Sequence, residues 1–594
     1  MNWKFWCLSV AVCLPVFSVS VWCDEGDVRF FVPDPGFTRA RDLPDDFTGK
    51  VSTILFDIKD AFTGTDAHSD AEQDLYNLGN KLHINTRKST LQRRLLFQEG
   101  SIVTADMLRE NEKNLRAEQF LADAFIEVKR QPDSTLIVKI TTFDQWTTVP
   151  SFSVSRKGGE WIWYLGPVES NLLGSGDRLG FFVGHNLQDN SQSLDFENTA
   201  FTSLKLQLSV QAALLQDNYT ASDDGYSYSV ALNRPLLSRT DKWAMSFSTS
   251  ALVSAEDLYL SGNDLDNLAD EGRLDSTGKT LLGQTNLLGQ FGKVSTYNTY
   301  AGFTRSFGYS LKTSVTPFYA NEIRTLNQGF DTLTPASVLD SLHFATPRFD
   351  SRRDQLLGVN VTVYQYADKT VNNFQNLKWS ETLVTGWQLS ASLAQNETWL
   401  GARSREWQYS YSAIYNNAWA NTFFLNSDAS MQYFLSDTGF DNGSTFAYAE
   451  GQWKPVSFLS TVISGQYNNL FAVQNSQQLY LGGESGLNGY PDYYYVGKAR
   501  VLLTAEQRYF PPFEFGTLVP AFAAFVDAGN TYAAYDSVDM RDLHYSVGIG
   551  LRLGASRSVQ KVVNHIDLSW PINEKNLGPW SFFKYFSISA SKTL

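Results

Sequence analysis

After Val16 the chain holds no run of 18 apolar residues, so nothing beyond that point can cross a membrane as a helix. From about residue 150 to Leu594, however, short segments alternate apolar and polar side chains with a period of two. In Ser203–Ala212 the apolar set is Leu204, Leu206, Leu208 and Val210, with Lys205, Gln207 and Ser209 between them. The same alternation returns at Tyr226–Leu232, Trp243–Thr249, Val361–Tyr366, Trp387–Leu393, Phe458–Gly465, Val501–Tyr509 and Tyr545–Leu551. Asp-, Asn-, Gly- and Ser-rich stretches such as 254–283, 321–356 and 436–445 separate them and read as loops. Stacked soluble sheets could carry this pattern, but no repeat of fixed period supports a propeller or solenoid. If the chain spans a membrane, only a closed barrel satisfies every strand N–H and C=O in lipid.

Composition favours the barrel. Aromatic residues make up 14% and charged residues only 19%. Aromatics gather near expected strand ends, at Trp161, Trp163, Tyr164, Tyr493 to Tyr495 and Trp580 to Phe583, as an interfacial girdle requires. At 9–11 residues per spanning strand plus loops, residues 150–594 accommodate roughly 16 antiparallel strands.

The N-terminus sets the expected compartment. Asn2 and Lys4 precede an apolar core from Phe5 to Val16, with small residues at Ser18 and Ser20. Residues 1–23 thus read as a secretory signal peptide. Cys7, Cys13 and Cys23 are the only cysteines, so no disulfide is expected in the exported chain. Val21 and Trp22 are not the small residues that lipid attachment at Cys23 would favour. A net charge of −14 disfavours nucleic acid as a partner.

Residues 24–75 read as a polar, irregular N-terminal extension with a strand or short helix, carrying Pro33, Pro35 and Pro44 and an acidic stretch from Asp57 to Asp74. Residues 76–147 are the only strongly helical part. Leu82–Ile84 reads as a strand, and Thr90–Phe97 as a helix punctuated by Gly100. Thr104 opens a second helix whose apolar face is Met107, Leu108, Leu115, Phe120 and Leu121. Strands at Ala124–Lys129 and Thr135–Thr142 complete a compact β-α-α-β-β unit.

These segments resemble the BamA/TamA superfamily of outer-membrane assembly proteins, the bacterial surface-antigen barrel. Val168-Glu-Ser-Asn-Leu-Leu-Gly-Ser-Gly176 is similar to that family's first barrel strand, and the α+β unit to its polypeptide-transport-associated (POTRA) repeat. Gly482-Gly-Glu-Ser-Gly-Leu-Asn-Gly-Tyr-Pro491 resembles the family's sixth extracellular loop, and Phe525-Val-Asp-Ala-Gly529 its Phe-x-Asp-x-Gly strand. Gly548–Leu553 and Asp567 to Pro571 resemble the closing strands. The resemblance covers about residues 76–594.

Its implied loop motif is Gly486, Leu487, Asn488, Gly489 and Tyr490, facing a lumenal strand that carries Phe525, Asp527 and Gly529. The family loop normally has Arg where this chain has Asn488, which reduces a charge-assisted bond to Asp527 to an ordinary one. By strand parity Phe525 and Asp527 share a face with the lumen, as do Glu506 and Arg508, while Phe522, Ala524 and Val526 face lipid. Arg500, Arg508 and Arg552 are therefore candidates for the missing counter-charge; the bland alternative leaves Asp527 facing lumen water. Family barrels also end in an aromatic residue. Here Phe586, Ile588 and Ala590 alternate, but the chain stops at Leu594.

No catalytic site, metal site or cofactor is expected. His565, Asp567 and Ser569 share one strand face, but neighbours at i and i+2 stand about 6.5–7 Å apart, too far for a proton relay. No two His or Cys residues have metal-ligand spacing, and the Gly-Gly pairs lack a following phosphate-loop helix.

What the resemblance implies is insertion or translocation of proteins at the outer membrane, with the POTRA-like unit in the periplasm. The partners would be lipid and lipopolysaccharide, client polypeptides and accessory periplasmic proteins. Clients would add by strand pairing at an edge from Ala124–Lys129 or Leu82–Ile84, and at a barrel seam weakened by Asn171, Gly174 and Gly176. That seam would join Val168–Gly176 to a last strand near Lys584–Ala590. A dedicated two-partner-secretion-like exporter and a passive diffusion pore or receptor are the alternatives.

Overall fold

The computed structural model describes residues 34–61, 81, 83–157, 159–202, 204–218, 224–259, 287–327, 330–332, 351–372, 380–420, 422–473, 477–513, 518–555, 562–572 and 587–592. The expected signal peptide, Leu82, the aromatic cluster at Trp580 to Phe583, Lys584 to Phe586 and Leu594 lie outside these residues.

The first body is a small α+β sheet domain. In chain order it comprises β1 (Thr38–Arg39), β2 (Thr48–Lys59), α1 (Lys88–Arg94), β3 (Ile102–Thr104), α2 (Ala105–Arg116), β4 (Leu121–Arg130) and β5 (Leu136–Asp144). The sheet order is β1-β4-β5-β2-β3, with β2 parallel to β5 and the other pairs antiparallel. Thr104 caps α2, its hydroxyl accepting the Met107 N–H at 3.2 Å. Leu108 and Leu115 of that helix are fully buried against Ala124, Ile126, Val138 and Ile140 of the sheet.

The long strand ahead of the helices is β2, not Leu82–Ile84: His83 and Ile84 lie outside any strand. Residues 34–61 therefore belong to the folded domain rather than to an extension. A register shift between Val51 and Thr53 explains why alternation did not place β2 within the expected strand or short helix of this segment. It puts Val51 and Ile54, three residues apart, both in the core.

The second body is a closed antiparallel barrel. Its wall begins with four short strands, β6 (Thr148–Lys157), β7 (Glu160–Glu169), β8 (Asp177–His185) and β9 (Asp189–Asn198). Then come β10 (Gln207–Asp217), β11 (Gly225–Arg234), β12 (Trp243–Tyr259), β13 (Leu287–Phe307) and β14 (Lys312–Leu326). A short β15 (Phe330–Thr332) extends the sheet beside β13. The wall continues with β16 (Arg352–Asn372), β17 (Ser380–Asn396), β18 (Trp407–Trp419), β19 (Phe423–Ser436), β20 (Gly439–Val456) and β21 (Leu459–Phe471). A lumenal hairpin, β22 (Leu479–Leu481) and β23 (Tyr495–Gly497), interrupts it. The last wall strands are β24 (Ala499–Tyr509), β25 (Leu518–Tyr532), β26 (His544–Ala555), β27 (Val562–Ile572) and β28 (Ser587–Lys592).

Setting β15 aside, the wall has twenty strands among the described residues, four more than expected. The excess lies partly at the front, where β6 to β9 fold as two tight hairpins of 9- and 10-residue strands. Strand β10 begins at Gln207; Leu204 and Leu206 belong to the turn before it.

Parity is as the sequence indicates. On β25, Phe522 and Val526 are 47% and 44% exposed, whereas Phe525 and Asp527 are 5% and 0% exposed. Exposed Phe247, Leu389, Tyr411, Ile463, Leu503 and Ile549 continue the apolar outer face around the cylinder. Such a surface is a lipid-facing belt, and the fold is a transmembrane β-barrel preceded by an α+β domain. No helix among the described residues is long and apolar enough to cross a membrane. Trp161, Trp163 and Tyr164 are exposed on the wall, but Tyr494 and Tyr495 are not part of a girdle; they are buried in the hairpin.

Candidate functional site

Inside the barrel the segment between β22 and β23 folds back onto the wall. Leu487 and Tyr490 are fully buried and pack with Leu481, Tyr494 and Tyr495. Gly486 and Gly489 take φ values of +108° and +83°, which suit glycine and let the loop turn tightly. The turn aims Asn488 at Asp527: its Nδ2 donates to Oδ2 at 2.7 Å. Thr504 on β24 donates to Oδ1 at 2.9 Å, and Ser546 on β26 to Oδ2 at 3.4 Å. Neutral donors from the hairpin and two wall strands thus satisfy a buried carboxylate. Next to it the Phe525 ring lies over Gly548 on β26, where a Cβ would meet ring atoms at 2.2 Å. Gly529 sits two residues along, opposite Leu502.

None of the three arginine candidates supplies a charge to Asp527. Arg500 donates to the Tyr480 carbonyl at 3.0 Å and to Asn468 at 2.8 Å. Arg508 pairs with Glu506 at 2.9 Å. Arg552 joins Glu506 at 3.3 Å and makes a close pair with Asp567. The correction has a simple cause: Glu506 and Asp567 are carboxylates on the same lumenal face and claim Arg508 and Arg552 first. Asp567, drawn earlier into a trio with His565 and Ser569, is therefore held by Arg552.

The hairpin also reaches beyond this wall. Glu484 accepts a hydrogen bond from Ser155 on β6 at 2.8 Å. Gln478 exchanges two bonds with the backbone of Tyr259 at the end of β12, at 3.0 and 2.8 Å. Tyr490 donates to the Tyr545 carbonyl at 3.1 Å. One inserted loop so connects the first strand, β12 and the closing strands. Glu484 lies in the glycine-rich run with no sequence signal for its partner, and nothing in the sequence marks Ser155.

The seam lies where the first and last strands meet. Strands β6 and β28 share a single register pair among the described residues, Arg156 with Ile588. Neighbouring β6 and β7 share ten. The first strand is thus Thr148–Lys157, and Val168–Gly176 is the end of β7 and the turn after it.

That turn has another use. Asn171, Gly174 and Gly176 receive the α+β domain instead of weakening the seam. The Gly174 carbonyl accepts from the Arg87 N–H and the Thr90 hydroxyl, both at 2.9 Å. Asn171 donates to Thr86 at 3.0 Å and accepts from the Gly176 N–H at 2.8 Å. Arg94 stacks over Phe120 and donates to Thr199 in the next turn at 2.7 Å. Asn114 donates to the Leu237 carbonyl at 3.0 Å, and the Tyr309 hydroxyl to Asp106 at 2.9 Å. The domain therefore sits under four successive turns, from β7–β8 to β13–β14.

No protein-family model matches the chain, and no curated protein does. Among solved structures it is similar to BamA from Haemophilus ducreyi lacking POTRA domains 1–3, with 14% identity and a TM-score of 0.40 over 91% of this chain and 84% of that one. It is also similar to CdiB from Acinetobacter baumannii, with 12% identity and a TM-score of 0.41 over 91% and 73%. CdiB from Escherichia coli gives 11% identity and a TM-score of 0.42 over 98% and 94%.

Proposed function

We propose that this protein inserts or translocates polypeptides at the bacterial outer membrane, its α+β domain in the periplasm, by pairing client strands at the β6–β28 seam. The single register pair between those strands among the described residues carries the reading. A sheet edge held by so few ladder bonds presents unpaired N–H and C=O groups that an extended client can take up. The Ser155–Glu484 bond places the lumenal hairpin on the same edge, so the hairpin steadies the seam from inside. The mechanism is exchange of main-chain hydrogen bonds, without turnover chemistry or cofactor. Lipid, lipopolysaccharide and accessory periplasmic proteins are the remaining partners in this reading.

The register gives the test. Replacing Arg156 and Ile588 by cysteine in a Cys23→Ser background allows a disulfide across the seam. Oxidised cells should lose client insertion or export while the locked barrel stays folded, and reductant should restore it. A locked barrel that handles clients normally would refute seam pairing and leave a pore or receptor.

A further inference from the structure

On a chain of net charge −14, one outward-facing stretch of the barrel rim is basic. The α+β domain sits under the turns from β7–β8 to β13–β14. In an antiparallel wall the turn between β17 and β18, residues 397–406, therefore lies at the opposite end. Main-chain bonds pin it to the start of β16: the Glu397 N–H donates to the Gln355 carbonyl at 2.9 Å, and the Arg403 N–H to the Arg353 carbonyl at 3.1 Å. Three arginines stand on this platform. Arg353 is exposed and shares its strand face with Leu357, Val359 and Val361 of the lipid-facing belt, four residues or about 13 Å beyond Leu357. Its guanidinium lies against Gly401, where a Cβ would stand 3.4 Å away. Arg403 is exposed and donates to the Ser351 carbonyl at 3.3 Å. Arg405, also exposed, meets the Gln395 amide oxygen at 2.7 Å and Glu397 at 4.0 Å. Trp399, 72% exposed, and the exposed Trp407 flank the three. Asp354 and Asp441 pair instead with Arg352, at 3.0 and 3.4 Å. Neither Arg353 nor Arg403 has an ion-pair partner among the described residues.

We propose that this rim binds the phosphorylated headgroup of an outer-leaflet glycolipid of the lipopolysaccharide class, Arg353, Arg403 and Arg405 holding its phosphates and Trp399 and Trp407 its sugar–acyl boundary. Guanidinium groups match phosphate oxygens through paired hydrogen bonds and keep their charge at the edge of a low-dielectric phase. Indole rings suit the level where hydrocarbon gives way to headgroups, one end apolar and the other wet. The arginines stand at that level, just beyond the last belt residues. A zwitterionic lipid with one phosphate would leave part of this charge unmatched, whereas a sugar carrying two phosphates engages all three cations. Position gives the site a role. Counted from β6, β16 and β17 are the tenth and eleventh of the twenty wall strands, so the site lies across the cylinder from the β6–β28 seam. A lipid held there fastens the wall to its leaflet on the side that stays closed.

The inference rests on the outer-membrane placement in the reading above, with the α+β domain in the periplasm, and not on client pairing. Full-length protein folded in detergent is titrated with diphosphoryl lipid A, the same lipid stripped of both phosphates, cardiolipin and inorganic phosphate, and bound molecules are counted by native mass spectrometry. The receptors are wild type, Arg353→Gln/Arg403→Gln/Arg405→Gln, Arg405→Lys, and Arg541→Gln, which changes an exposed arginine in the β25–β26 turn at the same end. Heat-modified mobility confirms that each barrel is folded. Wild type and Arg541→Gln should bind diphosphoryl lipid A at least about tenfold more tightly than the triple variant does. They should prefer it by a similar factor over the stripped lipid and cardiolipin. Arg405→Lys, which keeps the charge but loses the planar fork, should fall between, and it carries the test if the triple variant does not fold. Equal binding by wild type and the arginine variants, or equal binding of the stripped lipid, would overturn the proposal. So would equal affinity for cardiolipin, or binding of inorganic phosphate alone. Failure of the seam disulfide to block clients would refute the seam reading while leaving these titrations intact.

Discussion

Asn488 holds the position that decides how the lumenal loop is fastened. With Thr504 and Ser546 it surrounds Asp527 with neutral donors, and the nearby arginines are drawn to Glu506 and Asp567. Removing one donor from a buried acceptor costs about 1–3 kcal/mol. Asn488→Ala should therefore lower the unfolding midpoint of the barrel, read as its heat-modified mobility, without changing its folded mobility; an unchanged midpoint would mean the loop is held elsewhere. The parity of Asp527 was legible from the spacing of Phe522, Ala524 and Val526. So was its ordinary hydrogen bond to Asn488; the fate of Arg500, Arg508 and Arg552 was not, because it depends on carboxylates three strands apart. A second residue-scale prediction concerns Glu127. Burial pushes its carboxyl above the ordinary range, Asp34 adds to this, and the Asp34 N–H with Lys139 and Arg39 pulls back. A raised acid binds more protons in the folded state, so its contribution is full at low pH and lost as pH rises through the folded value. Glu127→Gln should thus gain thermal stability relative to wild type from about pH 4 to pH 7, the range above the ordinary Glu value. A difference that stays flat or reverses would contradict this.

Among elements, the turn after β7 shows how a glycine-rich motif can be placed in the wrong strand. The glycines of Val168–Gly176 looked like a loosened strand. They are needed because the domain approaches closely: at Gly176, with φ of +69°, a Cβ would stand 2.7 Å from both Arg94 and Phe120. Gly176→Val should detach the α+β domain from the barrel, seen as rapid protease release of the domain from a barrel that remains folded. Retained protection would show that the other three turns suffice. Strand β2 teaches the converse lesson. Its apolar residues were all visible, but the register shift at Val51–Thr53 breaks the period on which strand recognition depends. The α2 helix suffered no such interruption: its Thr104 cap and its buried Leu108 and Leu115 stand where the sequence places them, whereas Phe120 follows the helix, Leu121 opens β4 and Met107 is only partly buried.

At the scale of the molecule, alternation and the missing apolar helix were enough to specify a barrel, since lipid leaves a chain few other ways to satisfy its backbone. Strand number was less legible. It depends on tight turns as short as that between β6 and β7, and these carry little compositional signal. Only one side of the seam was legible, the last strand near Lys584–Ala590, which overlaps β28; its partner was misplaced because closure is a relation between residues more than four hundred positions apart. Its use by clients is the central claim, and in-cell crosslinking tests it most directly. A photoreactive residue at Arg156 should capture partly folded client polypeptides, while one at the exposed wall residue Tyr411 should capture none. Adducts at Arg156 confined to the protein's own last strand, with clients still handled normally, would contradict the account.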